Sequence, residues 1–278
     1  MSLNSDLTEA RDAILASDFA VRTGAVVPTT EAVGNDQAVK LAATYLYADM
    51  ADNSGLVAAS PNQTVGKVLR LYLDLSVRII RARGGHIRSF DGDRVMGIFI
   101  GETRFDAAAK AGMQIRWACD QLIQPKVQAK YKSIQESGWT LKPGCGVASG
   151  DAFIVRGGVR RTSSDLVSVG VAPNLAAKLS DIRHAPYTNR IGAATHKNLT
   201  SPARLSKGVD MWEGPHDLTM GGKNYQYYRS SYRWSTLTWQ RPKIQHPPTV
   251  PRFLIPLGAL TTLCAIGPAK STPKRHSR

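Results

Sequence analysis

The spacing of apolar and polar positions changes several times along the chain, and each change marks an element. Over residues 41–49 the run LAATYLYAD favours a strand, and its alternation puts Tyr45, Tyr47 and Asp49 on one face. Residues 64–83 switch to helical spacing, with Val65, Val68, Leu69, Tyr72, Leu75 and Ile79 on one stripe that stops at Gly84-Gly85. The arginines of that helix, Arg70, Arg78, Arg81 and Arg83, read as its solvated face. Residues 86–100 return to short apolar arms around Asp91-Gly92-Asp93, which predicts a β-hairpin with acids at its tip. A second long helix covers residues 105–131, its buried stripe being Ala107, Ala108, Ala111, Ile115, Ala118 and Leu122. Strands follow at 140–149, 152–156 and 166–170, then a helix at 173–181, a short strand and turn at 192–199 and a closing aromatic strand at 225–234. The order β-α-β-β-α-β describes an α+β fold: a ferredoxin-like central antiparallel sheet with flanking helices on one face, extended by extra strands.

The two ends lack this regularity. Residues 1–37 hold a short helix at 8–19 and a loose stretch rich in Thr, Gly, Val and Pro, so they read as an arm leading into a domain at 38–234. Residues 235–278 are broken by Pro242, Pro247, Pro248, Pro251 and Pro256 and end in a basic run, which predicts a disordered or loosely docked tail. Its apolar stretch at 253–266 is shorter than the roughly 20 residues a helical span needs, so no stable membrane span is expected.

Composition narrows the partners. At 42% hydrophobic and 21% charged, a chain of 278 residues has enough apolar mass for a real core. Lysine and arginine outnumber the acids 36 to 21, and the net charge of +15 fits a polyanionic ligand: nucleic acid, an anionic membrane surface or a nucleotide. Charge alone does not choose among them. Cys119, Cys145 and Cys264 are odd in number, widely separated and without metal-ligand spacing, which suggests buried thiols in a reducing cytoplasm. The first 22 residues mix acids with apolar positions and show no secretory signal, so a cytoplasmic location is expected.

The candidate chemistry lies in two acids. Asp49 stands at the open end of a strand and Asp93 at a hairpin tip; if the two strands are neighbours, the carboxylates converge. Such a pair repels itself unless a cation lies between, and hard oxygen ligands select Mg2+ or Mn2+. The loop after Asp49 feeds a helix whose free N–H groups face whatever sits beside that acid, as phosphate sites commonly do. Asn53 and Ser54 therefore read as substrate contacts, as caps of that helix, or as both.

Four blocks in order carry a resemblance. The strand ending Asp49-Met50, the hairpin Gly92-Asp93-Arg94-Val95-Met96, the pair Gly146-Val147-Ala148-Ser149-Gly150 and Gly157-Gly158-Val159-Arg160-Arg161, and the run Gly170-Val171-Ala172-Pro173-Asn174-Leu175-Ala176-Ala177-Lys178-Leu179 resemble a class III nucleotidyl cyclase catalytic domain. The resemblance implies a head-to-tail homodimer with composite sites and two divalent ions per site, on Asp49, Asp93 and the backbone carbonyl of Met50. It also implies that Asn174 positions the ribose. Lys178 stands where the family carries a transition-state arginine; lysine keeps the charge but loses the planar fork, and Arg183 is another cation able to serve. Lys223, in Met220-Gly221-Gly222-Lys223, resembles the family's triphosphate-binding lysine.

Ser89 and Val167 occupy the positions where adenylate-forming members carry a lysine and an aspartate that read the base, which argues against ATP or GTP. Tyr47 either narrows the pocket for a one-ring base or packs as an ordinary sheet aromatic. With these departures the chain is most similar to the stand-alone pyrimidine cyclases of bacterial Pycsar anti-phage defence. That similarity implies conversion of UTP, or next CTP, to the cyclic monophosphate, a separate effector activated by that product, and no nucleic acid partner. Two other readings stand beside it: an adenylate or guanylate cyclase with atypical base contacts, and an inactive cyclase-like module that binds nucleotide or RNA.

Overall fold

A computed structural model describes residues 2–159 and 163–236. Arg160 and Arg161 of the glycine-rich block, Cys264 and the tail from residue 237 onward lie outside the described residues. The elements run α1 (Leu3–Ala16), β1 (Ala20–Gly24), β2 (Gln37–Ala51), α2 (Asn53–Ala59), α3 (Asn62–Ala82), β3 (His86–Asp91), β4 (Arg94–Phe99) and α4 (Arg104–Ala118). After a π-turn at Cys119–Ile123 come α5 (Gln124–Lys130), α6 (Lys132–Ser137), β5 (Lys142–Val159), β6 (Ser163–Val169), α7 (Val171–Asp181), β7 (Asn189–Gly192) and α8 (Ala193–Lys197). A small ladder of β8 (Leu205–Ser206) and β9 (Val209–Asp210) follows α9 (Ser201–Arg204), and β10 (Glu213–Met220) and β11 (Lys223–Ser230) close the sheet.

β2 and β5 form the spine. They pair antiparallel from Ala38↔Val155 to Ala51↔Lys142, longer than the strands read at 41–49, 140–149 and 152–156. Gly150 and Asp151, a turn signal in isolation, stay in the ladder opposite Ala43 and Ala42, so the two shorter strands merge into one. The outer edges of this ribbon are shared. β4 takes residues 44–48 of β2 and β1 takes 37–41, while β7 takes 145–147 of β5 and β6 takes 153–159. The nine-stranded sheet runs β10-β11-β7-β5-β2-β4-β3, with β1 and β6 attached to the spine; β1–β2 and β5–β7 are parallel, so it is mixed rather than wholly antiparallel.

Both faces of the sheet are covered, so β2 is buried almost throughout. Leu46, Ala48 and Met50 point into one core with Tyr72 and Ile80 of α3 and Met113 and Ile115 of α4. Tyr45 points into the second, with Ile98, Ile154 and Leu175 and Leu179 of α7, and Tyr47 packs at its edge. The two long helices thus share one face, as the element order predicts, while α7 covers the other. α7 lies directly on the spine because Gly144 and Gly146 carry no side chain. A Cβ at Gly146 would sit 2.1 Å from the Ala176 carbonyl oxygen, and one at Gly144 would sit 2.4 Å from that of Ser180.

Several local expectations shift. Among residues 105–131 the helix is interrupted by the π-turn, because Pro125 in the first turn of α5 has no N–H and crowds the carbonyl four residues back. The extra residue rotates the stripe, so Ile123 is buried and Leu122 is 44% exposed. Arg83 does not stay on the solvated face: its Nε donates to Gln114 Oε1 at 2.8 Å. The short helix begins at Leu3, not residue 8, and residues 192–199 hold a helix, α8, after β7. β10 was not anticipated; it turns into β11 through Gly221 and Gly222, both at positive φ, as a two-residue hairpin demands. Cys119 and Cys145 are free and buried as read, and burial pushes the Cys145 thiol up to about 12. No helix among the described residues is long and apolar enough to cross a membrane.

Candidate functional site

The acid pair forms where β4 falls short of β2. Pairing between them ends at Ala48↔Val95, which leaves Asp49 one residue beyond the ladder on that side, while Gly144 holds it on the other. Asp49 is 6% exposed and, by alternation, shares the α7 face with Tyr45 and Tyr47. Asp93 lies in the Gly92-Asp93 turn between β3 and β4, which the pair Asp91↔Arg94 closes. The structure sets the two carboxyls beside each other: burial raises the Asp93 pKa above its ordinary value, and the neighbouring Asp49 charge raises it further.

Two guanidiniums balance this acid corner. Arg183 donates to Asp49 Oδ2, and Arg94 Nε lies 3.6 Å from Asp49 Oδ1. Arg94 also holds Asp181, the last residue of α7, so the helix end is tied to the corner. Its guanidinium stands 6.0 Å from the ring centre of Tyr47, a half-buried phenol whose pKa burial raises. The sequence reading gave no role to Arg94 or Asp181. The signal was present in part, since Arg94 follows Asp93 directly and must share its hairpin.

The Met50 side chain is core, 2% exposed, but its backbone belongs to the site. By alternation with Ala48 its carbonyl faces the β4 side, where pairing has already ended at Ala48↔Val95. Two carboxylates and a backbone carbonyl at one strand end are hard oxygen donors, and they fit a divalent cation of the Mg2+ or Mn2+ type.

α2 begins two residues after Ala51, and its cap is Asp52 rather than Asn53 or Ser54. Asp52 sits at φ 61° and accepts from the Gly55 N–H at 3.2 Å, while its carbonyl accepts from Trp139 Nε1 at 3.0 Å. The reason is geometric: the chain reverses at Asp52, so its carboxylate, not the next side chain, reaches the open turn. Asn53 and Ser54 are then the first two helical residues, and Asn53 Oδ1 is buried with no partner among the described residues.

The remaining candidates lie elsewhere. α7 turns Ala172, Pro173, Leu175, Ala176, Leu179 and Ser180 to the sheet, which leaves Asn174 and Lys178 exposed one turn apart. No hydrogen bond or ion pair among the described residues joins either to the acids. Lys223 is exposed at the tip of the β10–β11 hairpin, with β7 and β5 between its strand and β2. Ser89 is half-buried in β3 beside a bulge, and Val167 is 50% exposed on β6. One chain therefore gathers Asp49, Met50, Asp93, Tyr47, Asn53 and Ser54 at one strand end and leaves Asn174, Lys178 and Lys223 outside that group.

Known proteins give this arrangement a family. No protein-family model matches the chain. A uridylate cyclase of Rhodovulum sp. (strain MB263) is 38% identical over 245 residues, covering 87% of this chain and 99% of that protein. A uridylate cyclase of Xanthomonas perforans is 35% identical over 236 residues, covering 84% and 99%. Among solved structures, a bacterial light-regulated adenylyl cyclase superposes with a TM-score of 0.57 at 22% identity, over 71% of this chain and 94% of that one, a likeness of fold alone. With such identity across nearly the full length of its relatives, on a class III cyclase fold, the chain belongs to the uridylate cyclase family.

Proposed function

We propose that the chain converts UTP to 3′,5′-cyclic UMP and pyrophosphate, in a homodimer whose two sites each draw on both subunits. The observation that carries this reading is the convergence of Asp49 and Asp93 in a member of the uridylate cyclase family. In the reaction the ribose 3′-oxygen bonds to the α-phosphorus, the bond from that phosphorus to the bridging oxygen breaks, pyrophosphate departs and the 3′-hydroxyl proton passes to solvent. Asp49, Asp93 and the Met50 carbonyl would hold two divalent ions, which supply charge that lowers the pKa of the 3′-hydroxyl and screens the triphosphate.

The protein's own groups then orient and neutralise. The α2 start, with Asn53 and Ser54, offers N–H groups and polar side chains to the triphosphate. Asn174 and Lys178 of the partner subunit fix the ribose and meet charge developing at phosphorus, which suits their exposure in a single chain. Lys223 reaches the triphosphate across the same interface. Tyr47, held under Arg94 on the face that carries Asp49, narrows the base pocket to one ring. Ser89 and Val167 offer neither the lysine nor the aspartate a purine-reading pair would need. The product would act as a second messenger on a separate effector in anti-phage defence, and the reaction belongs in the cytoplasm.

The test is direct. Purified protein with manganese and each of the four ribonucleoside triphosphates, products resolved by mass, should give cyclic UMP as the main product. Cyclic AMP as the sole product would overturn the pyrimidine reading, and cyclic CMP as the main product would move the assignment to cytidylate.

A further inference from the structure

Asp181 sits at the wrong end of its helix. It closes α7, where the last carbonyls carry the negative pole of the helix dipole, so a carboxylate there gains nothing locally. Nor does α7 need it as a fastening: Ala176 and Leu179 are fully buried against the sheet, and the backbone rests on Gly144 and Gly146. An ion pair that leaves its acid 44% exposed adds little to a helix so seated. A residue that breaks a local rule with no gain in packing is expected to serve a site, and Asp181 reaches one.

Its partner there is Arg94, whose Nη2 donates to Asp181 Oδ1 while its Nε lies 3.6 Å from Asp49 Oδ1. The second contact is an ion pair but too long for a hydrogen bond. The other oxygen of Asp49 is taken: Arg183 donates to Oδ2, and the Ser180 carbonyl, which accepts from Arg183 Nη1, aims that guanidinium. Of the two Asp49 oxygens, Oδ1 is therefore the one not already accepting from an arginine. Arg94 stands one small movement away from covering it. The acids that face Arg94 are Asp49, Asp181 and Asp91, of which Asp91 is exposed and Asp49 buried. Without Asp181, the guanidinium is drawn most strongly to the charge least screened by water, and that is Asp49.

We propose that Asp181 is a positioning residue of the acid corner: by holding the Arg94 guanidinium it keeps Asp49 Oδ1 open to a divalent cation. The end of α7 then governs Asp49 on both oxygens, with Ser180 aiming Arg183 and Asp181 restraining Arg94. Asp181 has this role only if Asp49 and Asp93 share a cation, as the cyclase reading holds.

Manganese binding to the full chain, followed without nucleotide by the electron paramagnetic resonance of free Mn2+, tests this, with Asp93→Asn as the reference that lacks the shared cation. Asp181→Asn should weaken binding about tenfold, and Asp181→Glu, which keeps the carboxylate, should recover most of that loss. Arg94→Met alone should bind no more weakly than the native chain, since it takes a positive charge out of the corner. The double variant decides. If Asp181 acts through Arg94, Asp181→Asn should shift the affinity by less than about threefold once residue 94 is methionine. A plain loss of negative charge would act equally in both backgrounds, and that result would overturn the proposal, as would native affinity in Asp181→Asn. Circular dichroism should show each variant folded; an Asp181→Asn chain that unfolds makes Asp181 structural and ends the positioning role. Native binding no tighter than that of Asp93→Asn would remove the shared cation, and with it the cyclase reading as well.

Discussion

The acid corner and the outer face of α7 differ in how far each is satisfied within one chain. At the corner Asp49 meets Arg183 and Arg94, and Arg94 meets Asp181. On α7, Asn174 and Lys178 stand exposed with no polar partner among the described residues. Yet the same helix binds the two regions mechanically, since Asp181 at its end is tied to Arg94 and its backbone rests on Gly144 and Gly146. A helix seated so firmly on its inner face, with unpartnered polar groups on its outer one, suits a site completed by a second chain.

The hardest way to break that contrast is to remove one acid. Asp93→Asn should lower turnover by about 10³-fold or more, several kcal/mol of lost charge stabilisation, while leaving the chain folded. Its stability has a defined pH signature. Burial and the neighbouring Asp49 carboxylate raise the Asp93 pKa above 3.8, so folding favours its protonated form. In chelator, this group's contribution is fully present below its ordinary pKa and is lost as pH rises through the raised one. Circular dichroism melts across that window should show Asp93→Asn gaining on the native chain as pH rises, whereas unfolding of the variant would mark Asp93 as structural.

Complementation is the next largest effect. Asp93→Asn and Asn174→Ala damage opposite halves of the proposed composite site, so each is inactive alone. Mixed at equal ratio and allowed to exchange, random pairing gives half mixed dimers, each with one intact site, and activity should return to about a quarter of the native level. An unchanged sum of the two residual rates would place both residues in the same subunit's site. A smaller but cleaner effect comes from Gly146→Ala, where the new Cβ would press on the Ala176 carbonyl at 2.1 Å. It should cost roughly 1–3 kcal/mol of stability in denaturant titration, as overpacking does.

Legibility in the sequence followed the locality of the physics. The alternation over residues 45–50 sorted side chains to the two faces correctly, because burial on both sides leaves a strand no other register. The acid turn at Gly92-Asp93 was readable because a two-residue hairpin has its own residue code. The merging of 140–149 with 152–156 was not, since Gly150 breaks a strand locally and only the partner strand decides that it continues. The π-turn at Cys119–Ile123 was hidden for a similar reason: Pro125 announces a disturbance but not which carbonyl yields. The pairings of Arg94 with Asp181 and of Arg183 with Asp49 were the costlier omissions in the site. They depend on where β4 stops and where the chain goes after α7, and neither is encoded near these residues.

The finest probe concerns Lys178, which by its resemblance to the class III motif is proposed to stand where other cyclases carry an arginine. As an exposed lysine it brings one charge on a flexible stem, where arginine would bring a planar fork able to contact two phosphate oxygens at once. Lys178→Arg leaves the inner face of α7 untouched, so folding and dimerisation should not change. If the outer face of α7 meets the reacting phosphate, the variant should change kcat within about tenfold while leaving KM for UTP nearly constant, because the contact forms as charge develops. A change confined to KM would instead assign Lys178 to ground-state binding of the triphosphate. No change in either parameter would remove Lys178 from the site and leave Arg183, already at Asp49, as the cation closest to the acid pair.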